Sequence, residues 1–275
     1  MSVIPQPLDD RAAVFHARTF ASFSLRNNVY CVPVDEHEEQ RQYQLNRIIR
    51  DVLDNEIVLA PNFPPPDIDE PQALDCGVGK GAWVEDLLDV GAYPDCEVTG
   101  VDIYFGQGDE EDEDDGEDSD DDGVQEFIKK RWNLNAPFRD DRSRSRIRAE
   151  RFDLVNSRLL MDGINTNRWP AYVQDLYNVL KPGGWLQMVE LELKFQSDNG
   201  RLRLDDEGAL YSWHRWYYHT MVQDGRDPKI GERLGGLMRQ YRFQNVSHRS
   251  HRLQIGRWNE GRSSGLPTEE DVPGY

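Results

Sequence analysis

Residues 74–83 read LDCGVGKGAW and place an acid, three alternating glycines and the start of an apolar stretch in one short segment. Glycine is favoured where a turn is tight or where a ligand touches the backbone, because a Cβ would occupy that space. The segment is therefore typical of a strand that ends in a ligand-binding turn followed by a helix. Such a turn also occurs as a plain helix lead-in, so it needs support from elsewhere in the chain.

Two aspartates give that support. Asp75 lies two residues before Gly77, where its carboxylate would repel the pyrophosphate of a dinucleotide bound at the helix N-terminus. S-adenosylmethionine carries an ammonium and a sulfonium group and no phosphate, so the same charge attracts it. Asp102 ends the predicted next strand, where an acid can hold both ribose hydroxyls, although it could also merely begin the acidic loop. The sequence thus favours S-adenosylmethionine over NAD as the cofactor.

Strand and helix patterns alternate along the middle of the chain, which predicts an α/β fold with a mostly parallel, doubly wound sheet. The predicted strands are 73–75, 97–101, 127–131, 152–156 and 185–193, and the predicted helices are 82–88 and 169–180. A Trp/Tyr-rich segment at 210–222, an amphipathic segment at 230–241 and a strand at 244–257 follow.

The flanking segments complete the domain prediction. Residues 1–34 are predicted to be irregular, and Asp35 with Glu38 predicts the start of a one-sided amphipathic helix. Five prolines make 60–71 a stiff connector. We therefore expect an N-terminal extension over 1–71, an S-adenosylmethionine-binding domain over 72–258 and a polar tail over 259–275.

Charge and composition narrow the function classes. Twelve of the fourteen residues 109–122 are acidic, and without them the formal net charge of −19 becomes −7. This acidic insert predicts a solvated loop, screened by the arginines that follow it or bound to a basic protein partner. Its sign argues against direct nucleic-acid binding. No apolar run could cross a membrane, and three cysteines without CxxC spacing suggest no metal site, so we expect an intracellular protein, cytoplasmic or nuclear.

Several separated stretches resemble the fungal LaeA-like, velvet-complex type family of class I S-adenosylmethionine-dependent methyltransferases. They are YCVPVDEHEEQRQ at 30–42, IVLAP at 57–61, LDCGVGKGAW at 74–83, FDLVNSRLLMDGI at 152–164, LYNVLKPGGWLQMVEL at 176–191, SDNG at 197–200 and GRDPKIGERL at 225–234. The resemblance covers about residues 28–256. It implies a Rossmann-like methyltransferase sheet and a role in fungal secondary metabolism.

The resemblance also implies a set of cofactor-binding positions around the methionine end, the ribose, the adenine and the reactive end. They are Asp75, Cys76, Gly77, Gly79, Asp102, Ile103, Asn133, Leu134 and Asn156. The family often has Asp where this chain has Asn133, whose amide oxygen can still accept from the adenine amino group. The acidic insert departs from the family pattern. So does the end of the chain, which predicts that the usual last strand is missing, leaving an unpaired edge, or is replaced by a partner or the tail.

The acceptor side is less defined. Trp213, His214, Trp216 and Tyr217 lie in one segment that could line an acceptor pocket or pack on the sheet as core. His214, His219, Glu190 and Glu192 are available as a base, but the sequence assigns none of them. Three hypotheses follow: an active methyltransferase with a small-molecule or protein acceptor, a regulatory subunit that acts by binding another protein, and an NAD-dependent oxidoreductase, against which Asp75 argues.

Overall fold

Five parallel strands form the central sheet, in the order β5–β4–β3–β6–β7. The strands are β3 Gln72–Cys76, β4 Glu97–Asp102, β5 Ile128–Arg131, β6 Phe152–Arg158 and β7 Leu180–Val189. The computed structural model describes residues 8–90, 93–106, 127–138, 147, 149–195 and 208–253. The α/β class and the parallel sheet are confirmed. The acidic insert 109–122 and the tail 259–275 lie outside the described residues.

Helices cover both faces of this sheet, as the alternation predicts. They are α3 Ala82–Glu85, which continues as a π-helical turn over Asp86–Val90, α4 Trp169–Val179, α5 Ala209–Gln223 and α6 Ile230–Gln240. One apolar cluster packs β3, β6 and β7 against α4 and α6, and the other packs the opposite face against α3. Because the strands are parallel, their carboxyl ends lie at one edge of the sheet. The glycine turn, Asp102 and the end of β6 all lie at this edge.

The N-terminal segment is more ordered than predicted. A hairpin of β1 Ala12–Phe15 and β2 Arg18–Ala21, followed by α1 Ser22–Asn27, replaces the expected irregular chain. Its strands have only four residues each, too short for a clear period-two pattern, which is why the sequence does not reveal them. Helix α2, Glu36–Val52, begins as predicted, because the Asp35 side chain accepts from the Glu38 amide at 3.2 Å.

The C-terminal prediction is wrong where it can be checked. No strand forms over 244–253, and 254–257 lie outside the described part of the chain. Most of 244–253 is exposed, because its two aliphatic side chains, Val246 and Leu253, cannot bury enough surface to fix a strand. Strand β7 is therefore the edge of the described sheet. It also begins five residues before the predicted 185, since a register shift lets Leu180 pair with Phe152.

Candidate cofactor site

The glycine turn follows β3 and has the backbone that its sequence predicts. Gly77 and Gly79 have φ of +76° and +57°, which L side chains rarely adopt. The amides of Gly77 and Val78 both donate to the Val101 carbonyl, at 2.7 and 3.2 Å. A Cβ on Gly79 would meet the Gln42 side-chain oxygen at 2.7 Å. The turn thus has the backbone conformation that favours glycine, and the Gln42 side chain packs closely over Gly79.

Asp102 is joined directly to this turn. One carboxylate oxygen accepts from the Gly79 amide at 2.9 Å, and the other accepts from the Ile103 amide at 2.7 Å. Burial raises the pKa of Asp102, and these backbone donors oppose the rise. A carboxylate has about four acceptor positions, so hydroxyl groups of a ribose can still be bound. The structure therefore brings the predicted ribose acid and the predicted glycine cradle together.

Asp75 lies beneath the turn in a buried polar row that crosses three strands. It is 3% exposed and accepts from Asn156 Nδ2 at 2.7 Å, and Asn156 accepts from Gln187 Nε2 at 2.8 Å. Burial is the main cause that raises the pKa of Asp75 to about 7. The second Asp75 oxygen makes no hydrogen bond to any residue that the structure describes. Cys76, by contrast, is buried in the core, so only its backbone can contact a ligand.

The segment after β5, which contains Asn133 and Leu134 and is predicted to contact the adenine, is held by α4. Arg168 donates to the carbonyls of Leu134 and Ala136 at 3.0 and 2.9 Å, which fixes this loop against α4. The Asn133 side-chain oxygen accepts from the amide and the side chain of Asn135, at 3.0 and 3.3 Å. Its predicted acceptor atom is therefore already engaged, and an adenine amino group would share it with the turn.

The loop after β6 is fixed by a carboxylate that the sequence presents only as a candidate base. Glu190 accepts from the amides of Leu160 and Met161 at 2.8 and 3.1 Å. Burial raises its pKa to about 8. Leu159, the first residue of this loop, has φ of +56°, a strained conformation for a leucine. Because both oxygens hold the backbone, Glu190 is a positioning residue.

The aromatic segment on α5 turns only partly towards this loop. Trp213 and Trp216 are 51% and 69% exposed, so the interpretation of the stripe as core is wrong for them. The His214 ring nitrogen lies 2.6 Å from the Leu193 carbonyl, and Tyr217 donates to Asp162 at 2.9 Å. Glu192 and His219 are exposed. Of the four, Tyr217 is thus the residue that bonds to the loop after β6, and no base emerges among the described residues.

Sequence reasoning missed the contribution of the N-terminal segment. Gln42 of α2 contacts the glycine turn, and Tyr30 packs against Gly163 in the loop after β6. Both residues belong to the stretch 30–42 that carries the family resemblance. That stretch was the available signal, but nothing in its spacing links it to a turn more than thirty residues further on.

The comparisons with known proteins agree with this geometry. A family model described as "Methyltransferase domain" matches residues 37–248. The chain belongs to this methyltransferase family. As such it uses S-adenosylmethionine as its cofactor. No helix in the described ranges is both long and apolar enough to span a membrane.

Three relatives illustrate the similarity of this methyltransferase to fungal proteins. It is 24% identical to the secondary metabolism regulator LAE1 of Cochliobolus heterostrophus, over 96% of this chain and 81% of that protein. It is 26% identical to the N-methyltransferase sirN of Leptosphaeria maculans, over 44% and 41%. It is 25% identical to the protein-methionine methyltransferase laeA of Emericella nidulans, over 72% and 45%. The LaeA-like resemblance is confirmed, although the chain spans less than half the length of the last two relatives.

Proposed function

We propose that the protein transfers a methyl group from S-adenosylmethionine to a small-molecule or protein acceptor in fungal secondary metabolism. The observation that carries the proposal is the hydrogen bond between the Gly79 amide and the Asp102 carboxylate, at 2.9 Å. It joins the glycine turn to an acid at the end of the neighbouring strand, where an acid can hold the ribose of a nucleoside cofactor. The names of the relatives supply the metabolic setting.

The residues of this chain act mainly by binding and orientation. Gly77 and Gly79 let the backbone approach the ligand, Asp102 accepts from the ribose hydroxyls, and the free Asp75 oxygen attracts the cationic methionine end. When bound, S-adenosylmethionine supplies an electrophilic methyl group. Alignment of an acceptor with that group can contribute as much as ~7–11 kcal/mol. We assign the cofactor-binding roles to the nine positions expected from the sequence, Cys76, Ile103 and Leu134 through their backbones.

Calorimetry with S-adenosylhomocysteine tests the assignment of Asp102. Asp102→Ala should weaken binding by ~5- to 150-fold, because hydrogen bonds worth ~1–3 kcal/mol are lost. Asp95→Ala, which removes an exposed acid just before β4, is the matched control and should bind like the wild type. Unchanged affinity of Asp102→Ala would refute the ribose assignment. Binding of NAD in place of S-adenosylhomocysteine would instead support the oxidoreductase hypothesis.

A regulatory role is the second candidate function, and the naming of the relative from Cochliobolus heterostrophus as a regulator favours it. In this role the acidic insert 109–122 binds a basic protein partner. The test is an insert variant in which the acids are replaced by Ser and Asn, measured for binding to a lysine-rich peptide over a range of salt concentrations. Salt-sensitive binding that the variant lacks supports this role. Equal binding by both proteins rejects it.

A further inference from the structure

Helix α2 lies across the glycine turn. A Cβ on Gly79 would come within 2.7 Å of Gln42 Oε1, so the Gln42 amide already occupies the space above that glycine. One turn further along α2, Asn46 Nδ2 donates to the Ala82 carbonyl at 3.0 Å and to Asp86 at 2.7 Å. Helix α2 is thus fixed to the first turn of α3, with Gln42 over the cradle.

Tyr30 packs against the loop after β6, where the Gly163 carbonyl accepts from Asn135 Nδ2 of the segment after β5 at 2.8 Å. The Tyr30 Cβ would lie 3.7 Å from a Cβ on Gly163. Its φ of +50° is unusual for so large a residue, and such conformations persist where the surroundings impose them. The segment is tied down nearby, because the buried Arg226 guanidinium donates to the Asn28 carbonyl and to Asn165.

The Tyr30 hydroxyl makes no hydrogen bond to any residue within the described ranges, yet it lies among charges. Burial raises its pKa, and the negative charges of Glu38, Asp102 and Asp162 raise it further, opposed by Arg41. Asp102 is the proposed ribose acid. A neutral phenol can donate and accept at the same time, which suits a ligand that carries vicinal hydroxyls.

We propose that Tyr30 and Gln42 bind the nucleoside end of S-adenosylmethionine, so that the N-terminal segment forms one wall of the cofactor site. Glu38 positions Gln42, since it accepts from Gln42 Nε2 at 3.3 Å while its carboxylate is held by Arg41 at 2.6 and 2.8 Å. This inference rests on the proposed function, because it presupposes that the cradle takes this cofactor.

The test is calorimetric binding of S-adenosylhomocysteine to the full chain carrying Gln42→Ala or Tyr30→Phe. Each variant should weaken binding by ~5-fold or more, the loss expected for one hydrogen bond. The matched controls are Gln40→Ala, whose side chain pairs with Glu36 on the exposed face of α2, and Tyr177→Phe on the surface of α4. Both controls should bind like the wild type, and thermal unfolding should show that all four proteins are folded.

A second probe tests whether the lost contacts are made with the nucleoside end of the ligand. 5′-Methylthioadenosine keeps the nucleoside and lacks the amino-acid end, so each variant should lose the same factor in affinity for it as for S-adenosylhomocysteine. Affinity within about twofold of the wild type for either variant overturns the proposal, as does a loss seen with S-adenosylhomocysteine alone. If the wild-type protein binds neither probe, the proposed function itself fails, which is a different result.

Discussion

The two segments that flank the methyltransferase core differ in how they are attached to it. Before the core, the connector after α2 pairs with β7: the Leu59 amide donates to Gln187 Oε1 at 2.9 Å, and Gln187 Nε2 donates to the Ile57 carbonyl at 3.2 Å. After the core, residues 244–253 are mostly exposed and join no strand. Both flanks lie outside the glycine motif. Hydrogen bonds with the buried Gln187 side chain attach the N-terminal flank to the core, and a sequence pattern does not reveal such long-range bonds.

The largest expected effect comes from cutting the N-terminal attachment. Gln187→Leu keeps a similar volume but leaves the buried Asn156 side-chain oxygen without its donor and breaks the hydrogen bonds to Leu59 and Ile57. An unsatisfied buried group costs ~1–3 kcal/mol and each lost hydrogen bond ~0.5–1.5 kcal/mol, so the free energy of unfolding should fall by about 2–6 kcal/mol. Urea unfolding followed by tryptophan fluorescence measures it.

The control for this variant is Gln174→Leu, whose side chain pairs with Asn178 on the exposed face of α4. It should change the free energy of unfolding by no more than ~0.5 kcal/mol. If Gln187→Leu lowered the free energy of unfolding by no more than this, the connector would be no more firmly attached than the C-terminal flank.

The buried acids of the site should make stability depend on pH. The folded state holds a proton on Asp75 up to about pH 7, whereas the unfolded carboxyl loses it near pH 3.8. The free energy of unfolding therefore falls as pH rises through this window and levels off above it, with Glu190 extending the fall to about pH 8. Asp75→Asn, which can still accept from Asn156, should remove ~3 kcal/mol of the fall between pH 5 and 8.

This prediction is checked by urea unfolding at a series of pH values. Asp95→Asn, an exposed acid, is the control and should leave the slope as in the wild type. An Asp75→Asn slope identical to that of the wild type would mean that Asp75 is ionised throughout. The Asp75 carboxylate would then stay charged in the unliganded protein, although burial should favour its neutral form.

The sequence predicts the parts of this molecule in which a local pattern and a buried core agree. Strands β3, β4 and β6, the glycine turn and Asp102 follow from short motifs, because alternation and glycine spacing are local properties. Helix α2 follows from its apolar stripe and the Asp35 cap. Glu190 is different: as a sequence it is one acid near a strand end, and only the fold shows that its oxygens hold the amides of Leu160 and Met161.

The contacts that the sequence does not predict are all long-range. Tyr30 and Gly163 are more than a hundred positions apart, and the hydrogen bonds of the row from Asp75 to Gln187 join residues 81 and 31 positions apart. The predicted strand over 244–257 is wrong over 244–253, because that segment has too little apolar surface to bury. Local patterns indicate what a segment can form, and burial decides whether it forms it.

The smallest expected effect tests how firmly the C-terminal flank is held. Two adjacent glycines of α6 differ only in their surroundings: a Cβ on Gly236 meets nothing within 4 Å, and a Cβ on Gly235 lies 3.2 Å from the Cβ of His248. Alanine is favoured over glycine inside a helix by ~1 kcal/mol, so Gly236→Ala should raise the free energy of unfolding by about that amount.

For Gly235→Ala the sign depends on whether His248 can move aside by a few tenths of an ångström. Because residues 244–253 are mostly exposed, we expect the segment to yield, and Gly235→Ala to be stabilising by ~0.5–1 kcal/mol in urea unfolding. A loss of stability relative to the wild type, with Gly236→Ala still stabilising, would show that His248 is held rigidly. The C-terminal flank would then be attached by packing as firmly as the N-terminal flank is by hydrogen bonds, because only a fixed neighbour can turn a favourable helix substitution into a clash.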